Sequence, residues 1–234
     1  VGGDPWGELR AAATALDVGL PRGFEDQARA YLEALARWER IGRLTGYVGL
    51  PQRVRHLVIE SLMLLRVVPR PGTPLLDIGS GAGVPGVIVK LARPAWEVDL
   101  IEATRRRANF LRDVVRRLGL TAIRVHEGRA EALAAGLVGR FQTVTMRAVT
   151  GVAEAGSLAA PFLGPGGTLV QALGREATTP AGAVVEVEVP DGELLWRRRF
   201  LIIRRAELDG GVSRGTRRTT RALHRGRQPE GRRR

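Results

Sequence analysis

The chain has 234 residues, 44% of them hydrophobic, which suffices for one large domain with an appendage. No run nears the roughly 20 apolar residues that span a bilayer, and with no cysteine there is no disulfide framework and no thiolate chemistry. The formal net charge is +13, and 36 of the 37 basic residues are arginine, Lys90 being the exception. Residues 204–234 hold eleven of those arginines against Glu207, Asp209 and Glu230. Arginine grips phosphate bidentately, so this excess predicts a polyanionic partner such as nucleic acid; the alternatives are a codon bias and a solvated end. The N-terminus lacks a basic segment followed by an apolar core, which predicts no signal peptide and a cytoplasmic protein.

Residues 1–20 are small and weakly patterned, with Asp4-Pro5 and Gly19-Leu20-Pro21 as breakers. From Phe24 to about Arg43 the pattern is helical, with Tyr31, Leu32, Leu35 and Trp38 on one face. A second helix begins near Pro51 and runs to about Arg66 before Pro69-Arg70-Pro71-Gly72 breaks the chain. Thereafter strands and helices alternate. Strands are predicted near 74–78, 97–102, 121–126, 141–146 and 168–171, and helices near 84–92, 104–118, 129–135 and 152–160. Residues 183–188 and 195–203, rich in Val and Ile, read as a closing antiparallel pair. The fold class is therefore α/β: a mostly parallel, Rossmann-like sheet with helices on both faces. The chain divides into a helical segment over 1–72, a sheet domain over 73–204 and a basic tail over 205–234 that has too few apolar residues to bury a core and is predicted to be disordered.

The most informative stretch is Asp77-Ile78-Gly79-Ser80-Gly81-Ala82-Gly83-Val84-Pro85-Gly86. It joins the first strand to a helix, and the next strand ends on Glu102. A strand, a glycine turn, a helix, a strand and a carboxylate form a unit that holds a nucleoside-bearing cofactor. Gly81-x-Gly83-x-x-Gly86 formally fits the dinucleotide pattern. The turn starts at Gly79, however, and is better described as Asp-x-Gly-x-Gly-x-Gly. That form suits S-adenosylmethionine, which has no pyrophosphate and whose ammonium suits a carboxylate such as Asp77. A nicotinamide or flavin dinucleotide and a purely structural turn are the alternatives.

The chain resembles the RsmG (GidB) family of bacterial methyltransferases, which modify a guanine at N7 in small-subunit (16S) ribosomal RNA. The resemblance rests on Leu44-Thr45, Glu60-Ser61-Leu62, the turn at 77–86, Ala103-Thr104-Arg105-Arg106, Phe110-Leu111, Gly128-Arg129-Ala130-Glu131 and Arg147-Ala148. It covers about residues 40–204 and makes the sheet domain over 73–204 a methyltransferase domain. It implies a class I S-adenosylmethionine-dependent methyltransferase acting as a monomer on ribosomal RNA or the small ribosomal subunit, away from membranes. By position, Asp77, Gly79, Gly81 and Val84 belong to the methionine and adenosine region. Glu102 holds the ribose hydroxyls with Ala103 and Thr104 beside it, and Ala130 and Glu131 edge the adenine. Arg147 faces both cofactor and target base, as the catalytic residue. The chain departs from the family pattern at Arg43, at Leu57 (where the family histidine falls, with His56 one position earlier) and at Leu173.

Other methyl-transfer chemistries lack their residues. Cytosine C5 transfer needs a cysteine, a Lys-Asp-Lys-Glu set needs two lysines, and the loop after the fourth strand is not Asn/Asp-Pro-Pro-aromatic. Guanine N7 carries an in-plane lone pair and no proton, so its methylation needs alignment and no general base. His56, His126 and His224 do not cluster at ligand spacing, which predicts no metal site. Transfer to another RNA position or a small molecule, and RNA binding without catalysis, remain the alternatives.

Overall fold

The computed structural model describes residues 4–69, 72–147, 151–174, 182–191, 194–209 and 220–221. The first helix, α1 (Pro5–Ala15), lies where the sequence predicts only weak patterning. Its buried residues are Trp6, Leu9, Ala12 and Ala13. Alanine buries little area and blurs the apolar period, so the amphipathic signal is faint. Asp4-Pro5 starts this helix instead of breaking the chain. The Asp4 carboxylate accepts the Trp6 N–H at 3.0 Å, and Pro5 occupies the first turn, where its missing N–H costs nothing.

Helix α2 (Phe24–Glu39) comes next, burying Phe24, Ala28, Tyr31, Leu32, Ala34 and Leu35. The helical stretch after it is interrupted. It comprises α3 (Leu50–Arg53), a π-helical turn over Val54–Ile59 and α4 (Glu60–Val67). A π turn holds one residue more than an α turn, so it rotates the facing of α4 relative to α3.

Among the described residues, eight strands form one sheet in the order β3-β2-β1-β4-β5-β7-β6-β8. They are β1 (Leu75–Ile78), β2 (Val98–Glu102), β3 (Ile123–Glu127), β4 (Phe141–Arg147), β5 (Leu163–Leu173), β6 (Ala183–Asp191), β7 (Leu194–Arg204) and β8 (Thr220–Arg221). The first five are parallel; β7 runs antiparallel to both β5 and β6 and lies between them. The expected antiparallel pair is thus present. Most of the basic tail lies outside the described residues. Its described parts are α9 (Arg205–Asp209) and β8, which pairs with β6.

Helices α5 (Gly86–Ala92), α6 (Arg105–Arg117), α7 (Ala130–Leu137) and α8 (Val152–Ala159) connect the parallel strands. Every residue of β1 and β2 is buried, as continuous apolar strands covered on both faces must be. Two apolar clusters result. One joins α1, α2, the 50–67 helical stretch, α5 and α6; the other lies under α7 and α8. The helical segment ahead of the sheet therefore shares a core with it. Strand order reverses between β1 and its neighbours β2 and β4, and open α/β sheets place ligands at the carboxyl ends of strands beside such a reversal.

Candidate functional site

A cavity of about 520 Å³ opens at this reversal. Its wall includes Gly79, Gly81 and Val84 from the glycine turn, Glu102 from the end of β2, and Arg147 from the end of β4. Ala103 and Thr104 line it as well. Ser80 and Ala82 of the turn and Arg107 beyond Thr104 also line it, and the loop between α2 and α3 adds Leu44, Thr45 and Tyr47, with Leu57 from the π turn.

The turn is shaped by glycine where backbone demands it. Gly81 has φ of +56°, a left-handed conformation that side chains disfavour. Gly86 needs smallness for a different reason: a Cβ there would lie 2.3 Å from Leu100 and 3.0 Å from Asp77, so α5 packs against the sheet only without one. Glu102 is 4% exposed, and both its oxygens accept backbone N–H bonds, from Gly81 at 2.9 Å and Thr104 at 2.8 Å. The carboxylate thus holds the turn to the start of α6 while facing the cavity. From the other side, the Tyr31 hydroxyl on α2 donates to the Ala82 carbonyl at 2.6 Å.

Asp77 is placed differently from its neighbours. It is 1% exposed and does not join the cavity wall. Its carboxylate accepts from the Thr145 hydroxyl at 2.9 Å and from the Gly86 N–H at 3.2 Å. Burial raises its pKa to about 6, against the lowering effect of these donors. Asp77 thereby ties β1 to β4 and to the start of α5. Ala130 and Glu131 open α7 and likewise lie off this wall.

Arg147 is held by the segment that precedes the sheet. Its Nη1 donates to the His56 carbonyl at 2.7 Å, its Nη2 to the Tyr47 hydroxyl at 3.3 Å, and Nη2 lies 2.8 Å from Glu60 Oε2. Glu60 also binds Arg198 of β7 through Nε at 2.6 Å, and His56 Nδ1 at 3.0 Å. The His56 ring stacks on Tyr47 with centroids 4.4 Å apart. The one-residue offset between Leu57 and His56 falls on the π turn. Within it, Leu57 lies on the cavity wall and His56 against Glu60. Arg43, another departure, donates to the Thr45 and Gly46 carbonyls and stiffens the loop. Glu39 takes the Thr45 N–H at 3.0 Å and pairs with Arg53, fixing the same loop from both ends. Tyr47 and Arg198 carry no local sequence pattern; only the fold brings them here.

The strand order and glycine turn define the class I methyltransferase fold, and solved structures agree on the fold. An O-methyltransferase from Bacillus cereus, in complex with SAH, superposes with a TM-score of 0.53 at 12% identity, covering 86% of this chain and all of that one. The family profile described as rRNA small subunit methyltransferase G (GidB) matches residues 25–182. A protein named ribosomal RNA small subunit methyltransferase G from Chloroflexus aggregans is 36% identical over 75% of this chain and 74% of its own length. Another of that name, from Sorangium cellulosum, is 38% identical over 72% of this chain and 70% of its own. The chain belongs to the rRNA small subunit methyltransferase G family, whose members are S-adenosylmethionine-dependent methyltransferases. Among the described residues, no helix is long and apolar enough to cross a membrane.

Proposed function

We propose that the protein transfers a methyl group from S-adenosylmethionine to N7 of a guanine in small-subunit ribosomal RNA, working as a monomer in the cytoplasm. One observation carries the reading: the glycine turn, the Glu102 carboxylate and the Arg147 guanidinium share one cavity wall at the strand-order reversal. The residues present fit the cofactor. A cavity of about 520 Å³ is roomy enough for a nucleoside with an amino-acid arm, and Gly79 and Gly81 let such a ligand lie against backbone. Glu102 accepts from the ribose hydroxyls, and Ala103 and Thr104 flank it. Val84 packs beside the arm, while Asp77 secures the turn from beneath. The family resemblance assigns Ala130 and Glu131, at the start of α7, to the adenine edge, although neither joins the wall of this cavity.

The bound cofactor supplies an electrophilic methyl group on a sulfonium. This chain's residues bind, orient and exclude water. N7 needs no deprotonation, so no side chain has to act as a base. The fixed Arg147 guanidinium orients the guanine at the wall of the cofactor cavity, which is alignment and electrostatics rather than acid–base work. The arginine-rich end of the chain supports a polyanionic partner, through phosphate contacts that carry no sequence information.

The reading is tested by tritiated-methyl transfer to small ribosomal subunits, and to their naked RNA, from a host that lacks the family enzyme. Nucleoside analysis of the product is expected to give 7-methylguanosine. Label in any other nucleoside, or none, overturns it.

A further inference from the structure

A second cavity, of about 220 Å³, adjoins the first and shares Tyr47 and Arg147 with it. Val84 faces the larger cavity and its chain neighbour Pro85 faces the smaller, so one turn of the backbone borders both. The smaller cavity has apolar walls at Leu64, Pro85 and Phe200, and its polar side chains are Tyr47, Glu60, Ser61, Arg147 and Arg198. Flat apolar walls with a few placed donors suit one planar heterocycle. We propose that this cavity seats the target base and that Arg198 is the residue that selects guanine, by donating to its O6. The inference rests on the guanine-methylating reading above.

Arg198 is the cation here whose terminal nitrogens are not both engaged; the Tyr47 hydroxyl, which accepts from Arg147, keeps its own proton as well. Ser61 spends its hydroxyl on the Leu57 carbonyl at 2.6 Å. Arg147 has Nη1 engaged by His56 and Nη2 by Tyr47 and Glu60. Arg198 is hydrogen-bonded along one edge, with Nε and Nη2 on Glu60 Oε1, and its guanidinium carbon lies 5.1 Å from the Trp196 ring centroid. Among the described residues its Nη1 donates to none. Glu60 thus clamps the guanidinium in a fixed orientation and leaves the Nη1 amino group for a ligand.

The chemistry of the purine edge gives that donor its meaning. Beside N7, guanine offers the O6 acceptor, whereas adenine offers the N6 amino donor. N7 must stay bare to attack the methyl carbon, so a reader of this edge has to touch the neighbouring position instead. A guanidinium N–H facing O6 accepts guanine and sets donor against donor for adenine, whose N7 is otherwise also bare. Sites built around a buried hydrogen bond discriminate strongly because the mismatch leaves polar groups unpaired.

The test uses the full chain, tritiated S-adenosylmethionine and small ribosomal subunits from a host lacking the family enzyme. Arg198→Met is expected to lower kcat/KM at least tenfold while the cofactor dissociation constant, read by calorimetry, stays within twofold. Arg198→Lys recovers part of that loss, because a donor remains. Gly174→Phe gives an independent reading. Gly174 lines the same cavity, a Cβ there meets nothing within 4 Å, and no left-handed φ strains the substitution. The phenyl ring is expected to raise the KM for subunits at least tenfold and to leave cofactor affinity alone. Parent-like transfer by Arg198→Met overturns the proposal, as does an equal loss of cofactor affinity, since Arg198 is then only a partner for Glu60. If Arg198→Met does not fold, Gly174→Phe decides: transfer at the parent rate overturns the proposal. Failure of the underlying reading looks different, because the parent protein itself then yields no 7-methylguanosine.

Discussion

The Arg147 guanidinium, at the end of β4, lies 2.8 Å from the Glu60 carboxylate, which opens α4. The pair joins the carboxyl edge of the sheet to the helical segment that precedes it. Glu60 also binds Arg198 and His56, so one carboxylate organises three cationic or titratable side chains from three elements. The wall between the two cavities is built from long-range contacts, and its rigidity depends on them.

Replacing Arg147 by alanine or by lysine is expected to lower methyl transfer at least about tenfold, roughly 1.4 kcal/mol of barrier. Lysine fails because an ammonium lacks the planar fork that reaches the His56 carbonyl and Glu60 together. Stability should fall by only about 1–2 kcal/mol, since Glu60 keeps Arg198. Transfer assays and urea denaturation on the same preparations check both halves. Parent-like transfer by the alanine variant removes Arg147 from the site.

Glu102→Ala is expected to weaken S-adenosylmethionine binding by about 1.5–3 kcal/mol. Two losses combine: the acceptor for the ribose hydroxyls, and the oxygens that hold the Gly81 and Thr104 N–H groups. Calorimetry measures the change. Unchanged affinity shows that the cofactor does not reach this carboxylate.

Tyr31→Phe removes one hydroxyl from α2 and nothing else. The buried Ala82 carbonyl loses its donor, and unfolding free energy is expected to drop by about 1 kcal/mol or somewhat more. Because Ala82 belongs to the glycine turn, cofactor affinity should fall as well. A variant with lowered stability and intact affinity shows that the turn holds its shape without α2.

Asp77 gives a pH dependence of definite sign. Burial raises its folded-state pKa to about 6 from an ordinary value of 3.8. Between those values the folded protein holds the proton more tightly than the unfolded chain does. Its contribution therefore favours folding below about pH 4, declines as pH rises through 4–6, and is flat above, by on the order of 3 kcal/mol in all. Denaturation of the parent and of Asp77→Asn across pH 4–8 isolates the effect. The stability of the parent relative to the variant should fall as pH rises from 4 to 6; a flat or rising difference there contradicts the assignment.

Much of the fold and site is legible in the chain. Alternation of strands and helices predicts the parallel sheet, and the pairing of the glycine turn with Glu102 predicts where a cofactor sits. Arg147 is placed by its position just after the fourth strand. The features that escape have physical reasons. Helix α1 buries alanines, which carry little hydrophobic period. Asp77 reads as a ligand for an ammonium because its spacing to the glycines is visible, while its bonds to Thr145 and Gly86 depend on the register of β1 with β4 and on α5. Tyr47 sits in a loop and Arg198 on the seventh strand, so their meeting with Glu60 needs the whole topology. Leu57 and His56 both lie in the π-helical turn Val54–Ile59, which no α-helical period anticipates.

S-adenosylmethionine is expected in the larger cavity with its reacting end toward the wall shared with the smaller one. A crystal structure of the protein with S-adenosylhomocysteine tests it most directly. The ribose hydroxyls are expected within hydrogen-bond distance of the Glu102 carboxylate, the amino-acid arm along Gly79–Val84, and the sulfur on the side lined by Tyr47 and Arg147. A cofactor bound elsewhere, or one whose sulfur faces away from Arg147, contradicts it.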